Sequence, residues 1–266
     1  MNLYRKILAR ESCAKFNKMV LHLSLRSLGI LNYENDEVSG EKYLINTVLR
    51  KIISSNEPIL FDIGANMGDY TRLLLSSFPT ATIYDFEPHP VTFMALKGRT
   101  LSKKIKLYNL ALGDKCGMMT LYDRSDWDGS PLATLHRAVI SDIHKKKTLK
   151  YRVNVDTLSN FVQRAGVRYI DFVKIDTEGN ELAVLQGALP LLENESIGCL
   201  QFEFNEMNTV SRVFFRDIRK VLSNYKLFRL LPSGLLPLDD SIVETELFAY
   251  QNIFAISERF AKESKN

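Results

Sequence analysis

The sequence predicts an α/β fold in which an open, mostly parallel sheet of seven strands is covered by helices on both faces and ends in an antiparallel strand. Three observations carry this reading. From Pro58 onward, short β-branched apolar runs alternate with segments of helical period. The chain has 266 residues, 45% hydrophobic and 25% charged, with only 8 Pro and 13 Gly, the balance of one compact core. Two further apolar runs near the end have no long helical segment between them and can close the sheet as a hairpin.

Taken in order, the strands are expected at 59–63, 82–86, 105–110, 170–175 and 199–204, with the hairpin at 225–230 and 247–256. Helices fit at 70–77, 91–101, 157–165, 181–192 and 210–222. Residues 1–57 read as an N-terminal helical extension and 58–266 as the main domain, with polar residues 32–40 as a linker. The first 33 residues carry six basic side chains (Arg5, Lys6, Arg10, Lys15, Lys18, Arg26) against Glu11 alone, with apolar residues at helical spacing. A helix that caps the domain or joins a homodimer is the favoured reading of them, ahead of a membrane-surface or targeting role. Segment 123–150 lacks a sustained period, carries Trp127, His136, His144 and Lys145 to Lys147, and is read as a lid or insertion over the substrate.

The formal charge of +4 is too small and too dispersed for a nucleic-acid footprint, and no basic stripe accompanies the motifs below. Cys13, Cys116 and Cys199 form no Cys-x-x-Cys, which excludes a zinc cluster and a disulfide framework and points to a reducing cytoplasm. The apolar stretch 19–31 is broken by His22, Ser24 and Arg26, so neither a transmembrane segment nor a secretory signal is expected.

The chemistry gathers at the strand ends. Phe61 to Thr71 (FDIGANMGDYT) runs from an apolar strand into a glycine turn and then a helix, where an open α/β sheet binds its ligands. The spacing is Gly64-x-x-x-Gly68, without the third glycine of a dinucleotide fingerprint, and Asp62 suits a cationic ligand better than a pyrophosphate. The second strand ends in Phe86-Glu87-Pro88, placing Glu87 where a carboxylate can accept both ribose hydroxyls. Asp85 is read as pointing the other way. Asn109 to Gly113 offers an adenine-edge loop by its place in strand order, and Phe172 to Glu181 (FVKIDTEGNE) ends a buried strand in Asp176 and Glu178. Glu203 and Asn205 share one face of the fifth strand.

With these segments the sequence resembles the FkbM family of methyltransferases over roughly residues 58–206, the Lys174-Ile175-Asp176-Thr177-Glu178-Gly179 stretch being its most specific part. The resemblance implies a class I, Rossmann-like three-layer sandwich, S-adenosylmethionine as methyl donor, and O-methylation of a hydroxyl on a glycan or other small molecule. Carried over residue by residue, it implies that Asp62, Gly64, Asn66 and Gly68 hold the methionine end, Glu87 the ribose, and Ala111, Leu112 and Gly113 the adenine, with Thr71 also among the cofactor-binding residues. Asp176 would lie nearest the sulfonium. Thr177 stands where the family usually has Val or Ile, which puts nothing in doubt.

A hydroxyl is a poor nucleophile at neutral pH, so Asp176, Glu178 and Glu203 are the candidate catalytic acids, one of them made basic by mutual repulsion and burial. His136 and His144 are alternative bases. The same oxygen-rich trio with Asn205 offers a second option, a divalent cation such as Mg²⁺. Two rival readings stand beside the transferase: an NAD- or nucleotide-sugar-binding oxidoreductase, favoured by Glu87, and a non-catalytic interaction module, disfavoured by the intact acids.

Overall fold

The computed structural model describes residues 2–100 and 102–263, so Leu101, at the end of predicted helix 91–101, lies outside the described residues. The main sheet is built from β1 (Ile59–Ile63), β2 (Thr82–Phe86), β3 (Ile105–Tyr108), β7 (Ile170–Ile175), β8 (Ile197–Phe204), β9 (Tyr225–Leu231), β10 (Gly234–Pro237) and β11 (Gln251–Ser257). Its order is β10-β9-β11-β8-β7-β1-β2-β3. The five strands from β8 to β3 run parallel, and β11 inserts antiparallel between β8 and β9. Every residue of β7 and β8 is buried, which is why both read as continuous runs and not as alternation. The sheet has eight strands where seven were expected. The additional one, β10, is a four-residue edge strand containing Gly234 and Pro237, too short to leave a period in the sequence.

One face of the sheet packs an aromatic column of Phe61, Tyr84 and Phe86 against Phe161, whose ring meets Phe86 edge-on at 4.7 Å. The opposite face buries Leu44, Ile45 and Leu49 against Leu74, Phe172 and Phe254. Each such side chain removed from water contributes about 1.5–3 kcal/mol, so segment 41–53 is held to the sheet by its own core.

A second sheet of three strands, β4-β6-β5, comprises β4 (Ala111–Leu112), β5 (Gly117–Arg124) and β6 (Thr148–Asp156). It takes both ends of the 123–150 segment and leaves 125–147 as the connection. Only Leu121 and Asp123 of β5 are buried, so this strand carries no apolar run to read. Two predicted helices are each divided: 181–192 breaks at Ala188, just before Pro190, and 210–222 at Arg212, held left-handed at φ 57. No helix among the described residues is long and apolar enough to cross a membrane.

Candidate functional site

The tips of β1, β2 and β7 meet at one point. Gly64 turns out of β1 at φ +87, and a Cβ there would strike the carbonyl oxygen of Asp176, so only glycine lets these two strand ends touch. The Gly64 and Ala65 N–H groups donate to the Phe86 carbonyl at 2.9 and 3.0 Å, fastening the turn to the tip of β2. The next N–H, of Asn66, donates to Glu87 Oε2 at 2.9 Å, while the His89 N–H donates to Glu87 Oε1 at 2.7 Å. Each carboxylate oxygen keeps acceptor capacity toward the cleft. Burial pushes the Glu87 carboxyl up to about 7, against the two backbone donors.

This cleft holds about 730 Å³ of space, open mouth included, a size suited to one small molecule. Gly64, Asn66, Glu87 and Asp176 form its polar side. Pro88, Leu110, Ala111, Leu112 and Leu121 form an apolar slot beside Glu87. Gly68 starts the helix Asp69–Ser77 in the left-handed region, and Gly113 donates its N–H to the Asp156 carbonyl; neither lines the cleft. The 125–147 connection covers this space with Ser130, Pro131, Ala133, Thr134 and Leu135. It is fastened by the Thr134 hydroxyl, which donates to the Glu178 carbonyl at 2.7 Å. His136 packs against Gly179, and burial lowers its basicity. His144 is likewise lowered by burial.

A second cavity adjoins the first through Gly64, Asn66, Pro131 and Asp176, and adds Asp36, Glu41, Asp62, Tyr70, Lys174 and Glu203. Asp176 therefore faces both spaces. Glu178 lines the first cavity and Glu203 the second, and burial, then the charge of Asp176, holds both well above the ordinary carboxyl range. The structure thus places Glu178 and Glu203 in two adjoining cavities that share Asp176.

Beside Asp176 stands a residue the sequence reasoning passed over. Lys174 is 3% exposed; its ammonium lies 3.1 Å from Asp176 Oδ2, 3.4 Å from Glu41 Oε1 and 4.6 Å from the centre of the Tyr70 ring. Burial alone would lower this amine, but Asp176, Glu41 and Glu203 hold it well above its usual value. Lys174→Met leaves buried carboxylates without their cation. We expect a loss of about 3 kcal/mol, a drop in Tm on the order of 6–12 °C by calorimetry.

The donor set proposed for a divalent cation does not assemble. Lys174 holds the positive charge at Asp176, and Asn205 turns its amide nitrogen to Glu203 Oε2 while its oxygen accepts the Met207 N–H. The described residues do bring His89, Asp123 and Asp128 to ligand distance. There the Thr92 N–H points at His89 Nδ1, which puts the ring proton on Nε2, 3.2 Å from Asp123 and 3.4 Å from Asp128, and leaves no lone pair on that nitrogen for a metal.

Asp62 lines the second cavity and not the first, and its hydrogen-bond partner Thr71 lines neither, nor does Asp85. The Thr71 hydroxyl lies 2.7 Å from Asp62 Oδ2 and 2.9 Å from Asp85 Oδ2. One hydroxyl proton serves one acceptor, so the other carboxyl must donate. Asp85 therefore does not point away: it registers with Asp62 across β1 and β2, on the same side. Burial, then the charge of Asp62, raises Asp85 to about 8, and burial raises Asp62 to about 6. Both folded values exceed the unfolded one of 3.8, so the stability these groups contribute is complete below it and is lost as pH rises through about 6 and about 8. Asp85→Asn stays neutral, so between about pH 5 and about pH 8 its Tm should fall less than that of the parent.

Known proteins are similar to this chain in sequence. The 2-O-methyltransferase NoeI of Sinorhizobium fredii is 24% identical over 71% of this chain and 82% of its own length. The hexuronic acid methyltransferase AglP of Haloferax volcanii is 25% identical over 72% of this chain and 71% of its own. The 31-O-demethyl-FK506 methyltransferase FkbM of Streptomyces tacrolimicus is 26% identical over 48% of this chain and 58% of its own. Residues 62–230, more than half of the chain, match the methyltransferase FkbM domain, and the strand-tip cleft with Glu87 falls within them. The chain therefore belongs to the FkbM methyltransferase family and is an S-adenosylmethionine-dependent methyltransferase.

Proposed function

We propose that this enzyme methylates a hydroxyl oxygen of a sugar or glycan, with the acceptor in the second cavity. The observation that carries this reading is the position of Asp176, whose carboxylate faces the strand-tip cleft on one side and the second cavity on the other. The bound donor supplies a sulfonium methyl that is already activated, so the protein has to place the acceptor oxygen in line and take its proton. Asp176 receives that proton as general base, Lys174 fixes its carboxylate, and Glu178 and Glu203, whose charged forms are disfavoured by burial and by Asp176, leave the negative charge on Asp176. Asp36, Glu41 and Glu203 bring carboxyl oxygens to the wall of this cavity, which supports a hydroxyl-rich acceptor such as a polyol ring. NoeI and AglP, named for a 2-O position and a hexuronic acid, support a carbohydrate acceptor by analogy.

Incubation with labelled donor and a panel of glycosides tests the proposal. Label in a sugar O-methyl group is the expected result, and no labelled sugar from enzyme that binds S-adenosylhomocysteine would overturn it. Because Lys174 supplies the charge at Asp176, turnover should be unchanged by a chelator; a loss restored by Mg²⁺ would instead place a cation among these acids.

A further inference from the structure

Helix Ala14–Ser27 has no buried residue, although it is long and half apolar. Phe16, Met19, Val20 and Leu23, at i, i+3, i+4 and i+7, form one stripe and are 53%, 53%, 43% and 57% exposed. Lys15, Lys18 and His22 follow the same turns along the flank of that stripe. The preceding helix, Asn2–Ile7, folds back on it: the Asn17 amide donates to the Leu8 carbonyl at 2.8 Å, and exposed Tyr4, Ile7 and Leu8 extend the apolar area. Arg5, Lys6 and Arg10 are also exposed. The helix is tied to the body at its far end, where Ile30 is buried and Arg26 pairs with Glu34.

An apolar stripe of this size needs a cover, and charge selects which. A two-fold contact between copies would set this basic flank against itself, because an isologous interface presents the same patch twice. Acidic headgroups complement it. We infer that residues 4–27 dock on an anionic lipid surface, with the Phe16, Met19, Val20 and Leu23 stripe in the acyl boundary and the lysines at headgroup level. The chain runs from this helix through Asn32 into Asp36 and Glu41, which line the second cavity, so docking brings that wall of the site to the membrane.

Co-sedimentation of the full chain with phosphatidylglycerol–phosphatidylcholine vesicles, against phosphatidylcholine alone, tests this. The chain should pellet with the anionic vesicles and weaken as salt rises. Lys15→Glu and Lys18→Glu should each lower the partition coefficient about fivefold or more. Phe16→Ser with Leu23→Ser should abolish binding while leaving the melting curve and S-adenosylhomocysteine affinity unchanged. Equal binding to both vesicles, or none, would overturn the inference. So would a solution dimer that this double variant converts to monomer, since the stripe would then be covered by a second copy.

Discussion

Glu87→Gln is expected to weaken S-adenosylhomocysteine binding about 10- to 100-fold, the worth of replacing a charged acceptor by a neutral amide at two sugar hydroxyls. The side chain also accepts the Asn66 and His89 N–H groups, so the substitution loosens the glycine turn and the start of the next helix together. A pH signature separates these effects. Glu87 is raised to about 7 in the free protein, so affinity for the nucleoside should climb as pH rises through that value and the carboxylate forms. The Gln variant should show no such rise. Calorimetric titration on either side of neutrality reads both, and an unchanged affinity in the variant would remove Glu87 from the ribose.

Asp176→Asn is expected to lower kcat by a factor on the order of 100 to 10,000 while S-adenosylhomocysteine affinity moves by no more than about threefold. The amide keeps the shape of the strand tip and the Asp176 N–H, which donates to the Ile63 carbonyl at 2.9 Å, is untouched. Lys174 retains Glu41 at 3.4 Å, so the fold survives the change. A drop in affinity with kcat intact would instead make Asp176 a binding group. If Glu203→Gln gives the larger kcat loss, the proton goes to the deeper carboxylate.

The part of the cleft proposed for the donor could be read from the sequence because Gly64, Asn66 and Glu87 each follow an apolar strand closely. Ile59–Ile63 and Thr82–Phe86 begin and end where the pattern put them, and Gly64, Asn66 and Glu87 fall at their tips. The second cavity, proposed for the acceptor, draws on contacts that leave no local pattern. Glu41 lies in a segment distant in sequence and meets Lys174 only through the fold, while the one sign of Lys174 was a cation inside a fully buried strand. Asp85 was misplaced by a parity error: Asp85 and Glu87 are two residues apart and leave the same face of an extended chain. The second sheet was missed because β5 and the first half of β6 are mostly half-buried, with no clean alternation of buried and exposed positions, so hydrogen bonding more than burial defines them there.

The most direct test of the account is a crystal structure with S-adenosylhomocysteine. We expect the ribose hydroxyls on Glu87, the adenine in the slot of Leu110, Ala111 and Leu112, and the sulfur beside Asp176, facing the second cavity. A nucleoside bound elsewhere, or a sulfur turned away from Asp176, would contradict it.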